Sequence, residues 1–304
     1  MKTQKRFLTY DQQIQLLKSK KLNIENDQLA KHFLSKYSYY SLISGYKDIF
    51  KIQKNGDYKP DSSFSKIVHL YLFDEFLRNT FLNEIIKVEK HIKSIYSYNF
   101  CLLYGDQQAD YLNVNNYNYV RYQQEVNEFA GMVQNLLSNP SKYSYIEYNI
   151  NEYGTVPLWV ILNAVTFGSI AKMYSFATNK LQSQIAKEFP NVYTYQLNSM
   201  LKMLSKYRNV CAHGERLYNY QTRTSLKTLP IHTALSGYNS LRKNDLFNVL
   251  ICLKYLSNKE DFSATTTVLQ ELIKSTLPNL GTNYMAAVLH KMGFPANWTD
   301  IINL

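Results

Sequence analysis

Cysteine is scarce here and badly placed for either of its structural uses. The three residues, Cys101, Cys211 and Cys252, are odd in number and include no C-x-x-C pair, which excludes a disulfide framework and a cysteine-based zinc site. No apolar run approaches the roughly 18 residues that span a bilayer, and the opening MKTQKRFLTYDQQ lacks the apolar core of a signal peptide. There is no G-x-S-x-G, no P-loop and no G-x-G-x-x-G. His32, His69, His91, His232 and His290 stand at no metal-ligand spacing to one another or to cysteine. Alternation of period two is scarce, which argues against sheets. The expectation is a soluble, cytoplasmic, reduced, all-α protein without metal or organic cofactor.

What is present begins with charge. The chain of 304 residues carries a formal net charge of +11 and an ordinary apolar fraction of 45%. Its length suits one large domain or two. Residues 1–60 hold twelve Lys/Arg against five Asp/Glu, and a basic lobe of this kind favours a polyanion through counterion release. Lysine-rich bacterial proteins that bind no nucleic acid share this bias. Tyrosine is abundant, at 27 residues. YSYYSLISGY (37–46) and NNYNYVRYQQ (115–124) read either as stacking surfaces for unpaired bases or as the codon bias of an AT-rich genome, the second being favoured.

Helical periodicity dominates. Thr9 is a capping candidate for a helix over 9–20, and Asp27 for another through Tyr37. Gly56, Asp57, Pro60 and several serines mark 50–64 as a linker. A long helix follows from about Ser65 into the nineties, with Ile67, Leu70, Tyr71, Leu77, Phe81, Ile85, Val88 and Ile92 repeating at three and four. Further helices are expected around 118–138, over 157–176 as one apolar, buried helix, and from about Val192 to Ala212, ended by Gly214. Two more are expected near 241–257 and 263–275, with a short final element over 284–298.

The stretch RNVCAHGERLYNY (208–220) carries the chemistry. Arg208 supplies a planar, permanently charged fork that matches phosphate oxygens. His213, five positions on, supplies a proton shuttle with an ordinary pKa of about 6.5. With a 2′-hydroxyl as the built-in nucleophile, this pair suffices for cutting RNA without a metal.

On a helical wheel of about 100° per residue, Leu197, Leu201, Leu204, Arg208 and Cys211 share one apolar stripe. Asn209 and His213 fall on the polar face beside Lys202 and Lys206, at an i,i+4 spacing that lets Asn209 help position the imidazole. Arg208 and His213 stand about 140° apart, so a composite site needs a bend before Gly214 or a second copy of the helix. The structural alternatives are a buried ion pair of Arg208 with Glu84, Glu89 or Asp74, and a helix-terminal cation role for His213. From spacing alone these alternatives are favoured. Asp74–Glu75 and Glu84/Glu89 read as solvated or ion-paired carboxylates.

The surrounding blocks change that balance. RNVCAHGERLYN resembles the R-N-x-x-A-H-x-x-R-L-(W/Y)-N block of the Abi-like family, the AbiD/AbiF-type abortive-infection proteins of the HEPN superfamily of α-helical ribonucleases. YDQQIQLLKSKKLNIEN with YSYYSLISGYKDIF, LYLFDEFLRNTFLNEIIKVEKHIKS (70–94), PLWVILNAVTFGSIAKMY and KMGFPANW resemble that family's other blocks, in order along nearly the whole chain. The resemblance implies a HEPN-type helical bundle over 61–225, with a basic helical module over 1–60 and C-terminal helices over 226–304. It further implies a homodimer in which two R-x4-H motifs form one metal-independent endoribonuclease site.

Arg208 and His213 then carry over as the catalytic pair and Asn209 as a positioning residue. Arg216, Lys202 and Lys206 become candidate phosphate contacts. The implied partners are an RNA substrate, with tRNA among the candidates, and a small structured RNA acting as antitoxin; the implied setting is phage defence. Glu215 stands where nucleotidylation-controlled HEPN toxins have tyrosine, which argues against that control. The alternatives are a HEPN module that holds RNA without cutting it, and a protein-binding regulator in which Arg208 is structural.

Overall fold

The computed structural model describes residues 6–52, 56–235 and 243–304. The N-terminal part comprises α1 (Tyr10–Ser19) and α2 (Asp27–Tyr37), followed by a π-helical turn (Tyr40–Ser44) and a 3-10 turn (Lys47–Phe50). Thr9 caps α1 in a box with Gln12, as its position suggests. The cap of α2 is Asn26 rather than Asp27, its side chain accepting the Leu29 amide at 2.9 Å.

The axis of the molecule is α3 (Phe64–Tyr104), a helix of 41 residues that extends well past the expected end. Ile67, Leu70, Leu77, Phe81, Ile85, Val88 and Ile92 are buried along it, continued by Tyr96 and Phe100. A row at threes and fours gives a helix one apolar face to bury. After it come α4 (Gln108–Leu112), α5 (Gln123–Ser138), α6 (Ser144–Tyr153), α7 (Leu158–Ala164), α8 (Phe167–Phe176), α9 (Asn179–Ala186) and α10 (Thr194–Ala212). The tail holds α11 (Ile231–Ala234), α12 (Leu246–Leu256), α13 (Lys259–Thr276), α14 (Thr282–Met292) and a last 3-10 turn (Trp298–Ile302). Helix α3 packs against α7, α9, α10, α12 and α13, and α10 packs against α3, α8, α9 and α12. The fold is an all-α bundle; among the described residues the only β contacts are three isolated bridges.

Three expectations need correction. The apolar run 157–176 is two helices rather than one. Thr166 takes an extended conformation (ψ 159°) and its Oγ1 accepts the Ser169 amide at 3.2 Å, capping α8 and ending α7. The run is also not buried all round, since Trp159 is 50% exposed. The described residues of the expected linker 50–64 are packed rather than free, and 53–55 lie outside the described residues. Phe50, Tyr58, Ser62 and Phe64 are buried, and the Tyr284 hydroxyl bonds Asp61 Oδ1 at 2.7 Å and Ser62 Oγ at 3.0 Å. Finally, α12 begins at Leu246; positions 241–242 of the expected helix lie outside the described residues.

The tyrosine clusters are mainly structural. Tyr46 stacks on Tyr218 with ring centres 5.9 Å apart, and Tyr117 sits among Phe100, Phe129 and Phe176. The basic lobe is partly neutralised from within, by Lys18–Asp27, Lys21–Asp57 and Lys31–Asp11 pairs at 2.7–2.9 Å. No helix among the described residues is long and apolar enough to cross a membrane.

Candidate active site

Helix α10 carries the R-x4-H stretch at its C-terminal end. Leu197, Leu201, Leu204 and Cys211 are buried on one side, joined by Met200, Tyr207 and Val210. Lys202, Lys206, Asn209 and His213 are exposed on the other. Burial pushes the Cys211 thiol up to about 12, so it stays protonated and is no nucleophile.

The helix stays regular to Ala212, and His213 is its cap. The Gly214 amide bonds Cys211 O at 3.2 Å and the Glu215 amide bonds Val210 O at 3.0 Å, the paired closure of a Schellman end. Gly214 has φ +66°, the left-handed conformation that this closure requires and that a side chain would strain. No bend therefore separates Arg208 from His213. The link between His213 and Asn209 is a backbone one, His213 N to Asn209 O at 2.9 Å; no side-chain hydrogen bond joins them.

Arg208 is half-buried rather than sunk in the apolar stripe. Its side chain keeps 35% exposure and lines a cleft. That cleft, of about 370 Å³, lies between α3, α7 and α10 and is lined by Glu89, Lys90, Lys93, Trp159 and Asn163 among others. Arg208 Nε stands 3.6 Å from Glu89 Oε2, while the other oxygen of Glu89 holds Lys93 at 2.8 Å. Among the described residues Arg208 makes no hydrogen bond, and its Nε is buried. Of the three carboxylates that could have paired with it, Glu84 takes Lys87 at 3.0 Å and Asp74 takes Arg78 at 2.8 Å.

Asp74 instead anchors the chain beyond His213. It is fully buried and accepts four hydrogen bonds. The donors are Tyr46 Oη (2.7 Å), Arg78 Nη1 (2.8 Å), and the amides of Leu217 (2.9 Å) and Tyr218 (2.7 Å). Burial pushes this carboxyl up, against the opposing pull of Tyr46, Arg78 and the two amides. Arg216 is engaged close by: its Nη1 donates to the Gly45 carbonyl and lies 3.4 Å from Asp48 Oδ2. Three of the sequence blocks thus meet at one place, Tyr46 from the first, Asp74 and Arg78 from the second, and Arg216–Tyr218 from the motif itself.

Lys202 and Lys206 line a different cleft, of about 880 Å³, between the start of α8, the polar face of α10 and residues 220–224. Lys172 and Arg223 complete its four cations, and no carboxylate lines it. Lys172 also lies 3.3 Å from Glu128; the other three have no ion-pair partner among the described residues. Neither cleft contains Asn209 or His213, and only the smaller contains Arg208. Among the described residues no group of three His, Cys, Asp or Glu is placed to hold a metal ion.

The sequence did not point to Trp159, Asn163, Lys90, Lys93, Lys172 or Arg223. A weak signal existed in spacing alone: Trp159 and Asn163 are i,i+4, as are Lys90 and Ser94, so each pair shares a helix face.

Fold and site together define an all-α protein whose central helix pair presents an arginine at a cationic cleft and, at the exposed end of α10, a histidine outside it. The family model for Abi-like proteins matches residues 32–219, well over half of the chain. The chain belongs to the Abi-like protein family. The matched region takes in Tyr46, Asp74, Trp159 and the motif, while the first helix and the C-terminal MGFP block lie outside it. No curated protein and no solved structure matches the chain.

Proposed function

We propose that this Abi-like protein is a HEPN-type endoribonuclease, acting in the cytoplasm as an abortive-infection effector of the toxin type. The observation that carries the reading is the state of Arg208. Among the described residues its guanidinium, at a cleft, has no hydrogen-bond partner and a single ionic contact, Glu89 at 3.6 Å. An arginine whose role was purely structural would be expected to lock its fork onto a carboxylate.

In the proposed reaction His213 takes the proton of an RNA 2′-hydroxyl. The freed oxygen attacks the adjacent phosphorus, Arg208 neutralises the charge that builds on the phosphorane oxygens, and an imidazolium protonates the departing 5′-oxygen. The products are a 2′,3′-cyclic phosphate and a 5′-hydroxyl. A straight α10 keeps Arg208 and His213 of one chain on different faces, so the site is proposed to form from two copies related by a two-fold axis. Lys202 and Lys206 hold neighbouring phosphates, and Asn209 borders the imidazole. Arg216, occupied by Gly45 and Asp48, supports the reading by fixing the chain after His213. RNA is the proposed substrate, tRNA is the first candidate, and a small structured RNA is the proposed antitoxin. No metal or cofactor takes part in this scheme.

One observation favours a second reading, an RNA-holding module that does not cut. The larger cleft gathers four cations and contains neither Arg208 nor His213. Comparing wild type with His213→Ala separates the two readings. Cleavage lost with binding kept supports the ribonuclease, and binding without cleavage by either form supports the holder.

A further inference from the structure

Trp159 is an anomaly of placement. The chain has two tryptophans; Trp298 is 7% exposed and packs on Phe294, whereas Trp159 is 50% exposed. Its neighbours on α7, Leu158, Ile161 and Leu162, are all buried, so the helix has an inward face and this indole lies off it. The indole lines the same cleft as Arg208.

The chemistry of that cleft is mixed in a specific way. Arg208, Lys90 and Lys93 set three cations against one carboxylate, Glu89, so the cleft stays positive after its internal pairing. Asn163 spends its amide hydrogens on the carbonyls of Trp159 (2.9 Å) and Val160 (3.2 Å), which leaves its Oδ1 as an acceptor at the rim. A flat aromatic wall, an acceptor and excess positive charge match one ligand class closely: a nucleotide, with a π-face, an N–H edge and a phosphate. At about 370 Å³ the space is at the small end of ligand sites, which run from roughly 300 to 1,000 Å³. It suits one unpaired nucleotide and excludes a duplex.

A second copy of this chain is a poorer occupant. A two-fold contact through this face would bring Lys90, Lys93 and Arg208 against their own equivalents, like charge on like charge. An anion held between the copies removes that repulsion.

We propose that the Arg208 cleft is a base-reading subsite, in which one unpaired RNA nucleotide next to the cut stacks its base on Trp159 and places its phosphate against Arg208. This rests on the ribonuclease reading and deepens it. Phosphates along Lys202 and Lys206 position the strand without sequence information, while the base on Trp159 supplies the selection. The unpaired base also restricts the substrate to loops, bulges and single strands.

The test uses the full-length protein and single-stranded octamers carrying 2′-O-methyl groups, which bind but offer no 2′-hydroxyl nucleophile. Acrylamide quenching of tryptophan fluorescence, excited beyond the tyrosine absorption band, reports Trp159, because the other indole is buried. Bound octamer should shield Trp159. Trp159→Leu should weaken octamer binding about tenfold, within the range for losing one base stack, and Trp159→Phe should recover most of it. Octamer bound with unchanged quenching and equal affinity for Trp159→Leu overturns the subsite and leaves the ribonuclease reading standing. Failure to bind any octamer at low salt overturns both. Adenosine monophosphate binding more tightly than the adenine octamer overturns the strand assignment in favour of a free nucleotide. Trp159 already shielded in the ligand-free protein hands the face to a second copy and overturns the proposal.

Discussion

Arg208 Nε and Glu89 Oε2 lie 3.6 Å apart, inside ion-pair range and outside hydrogen-bond range. Glu89 spends its other oxygen on Lys93 at 2.8 Å. The arginine is steered by the carboxylate without being used up by it. Arg208→Ala should therefore lower stability by only about 1 kcal/mol, since the contact is longer than a hydrogen bond and the buried Glu89 keeps its bond to Lys93, while reducing RNA cleavage a hundredfold or more, the usual cost of removing one donor to transition-state charge. Denaturant unfolding and single-turnover cleavage on the same preparations check both numbers. A collapse of folding, with no RNA affinity at any salt concentration, would instead mark Arg208 as structural and the protein as a protein-binding regulator.

Asp74 should behave in the opposite way. It is fully buried and accepts from Tyr46, Arg78, and the Leu217 and Tyr218 amides. Asp74→Asn removes the charge opposite Arg78 and turns an NH2 group toward at least one donor. The expected loss is about 3–5 kcal/mol, the range for breaking a buried pair from one side. Tyr46→Phe, which deletes one donor and keeps the ring, should cost about 1–2 kcal/mol. Urea midpoints with unchanged slopes would report both.

His232 sets an acid limit on stability. Its Nδ1 accepts the Leu229 amide at 3.0 Å and its Nε2 stands 3.1 Å from Asn248 Oδ1, a pattern that suits the neutral ring with the proton on Nε2. Burial is the main cause that lowers its pKa from the ordinary 6.5. The unfolded chain then binds the proton more readily than the folded one, so the contribution of His232 is complete above about pH 6.5. It is lost as pH falls through the lower folded value. Unfolding free energy measured from pH 7.5 to 5 should fall on the acid side, and His232→Gln should flatten that part of the curve.

The four-cation cleft makes a prediction about salt. Lys202→Glu and Lys206→Glu change exposed residues and should leave the melting temperature unchanged. Each should reduce the steepness of log affinity against log salt by about 0.7, the value for one phosphate contact on a single strand. An unchanged slope would remove these lysines from the RNA path.

Much of the fold was legible because it is written in local periodicity. The buried row from Ile67 to Ile92 was visible at threes and fours, as were the Thr9 cap and the Gly214 stop. The break at Thr166 was not, because an apolar run on both sides masks a single capping hydroxyl. In the site, Arg208, Asn209 and His213 could be found in sequence, and the angle between them forced the question of a second copy. The partners of Asp74 could not be found this way. The Leu217 and Tyr218 amides lie more than 140 positions along the chain, and no backbone amide announces its acceptor. Trp159 was likewise read as part of a buried helix. Its exposure depends on how α7 turns against α3, which spacing alone does not specify.

Cleavage of end-labelled total cellular RNA and tRNA, in EDTA, tests the central proposal most directly. Purified RNA-free wild type is set beside His213→Ala and the product ends are mapped. Discrete cuts ending in 2′,3′-cyclic phosphate, absent with His213→Ala, are the predicted result. Equal cleavage by His213→Ala, or no cleavage by a folded wild-type dimer, would contradict it.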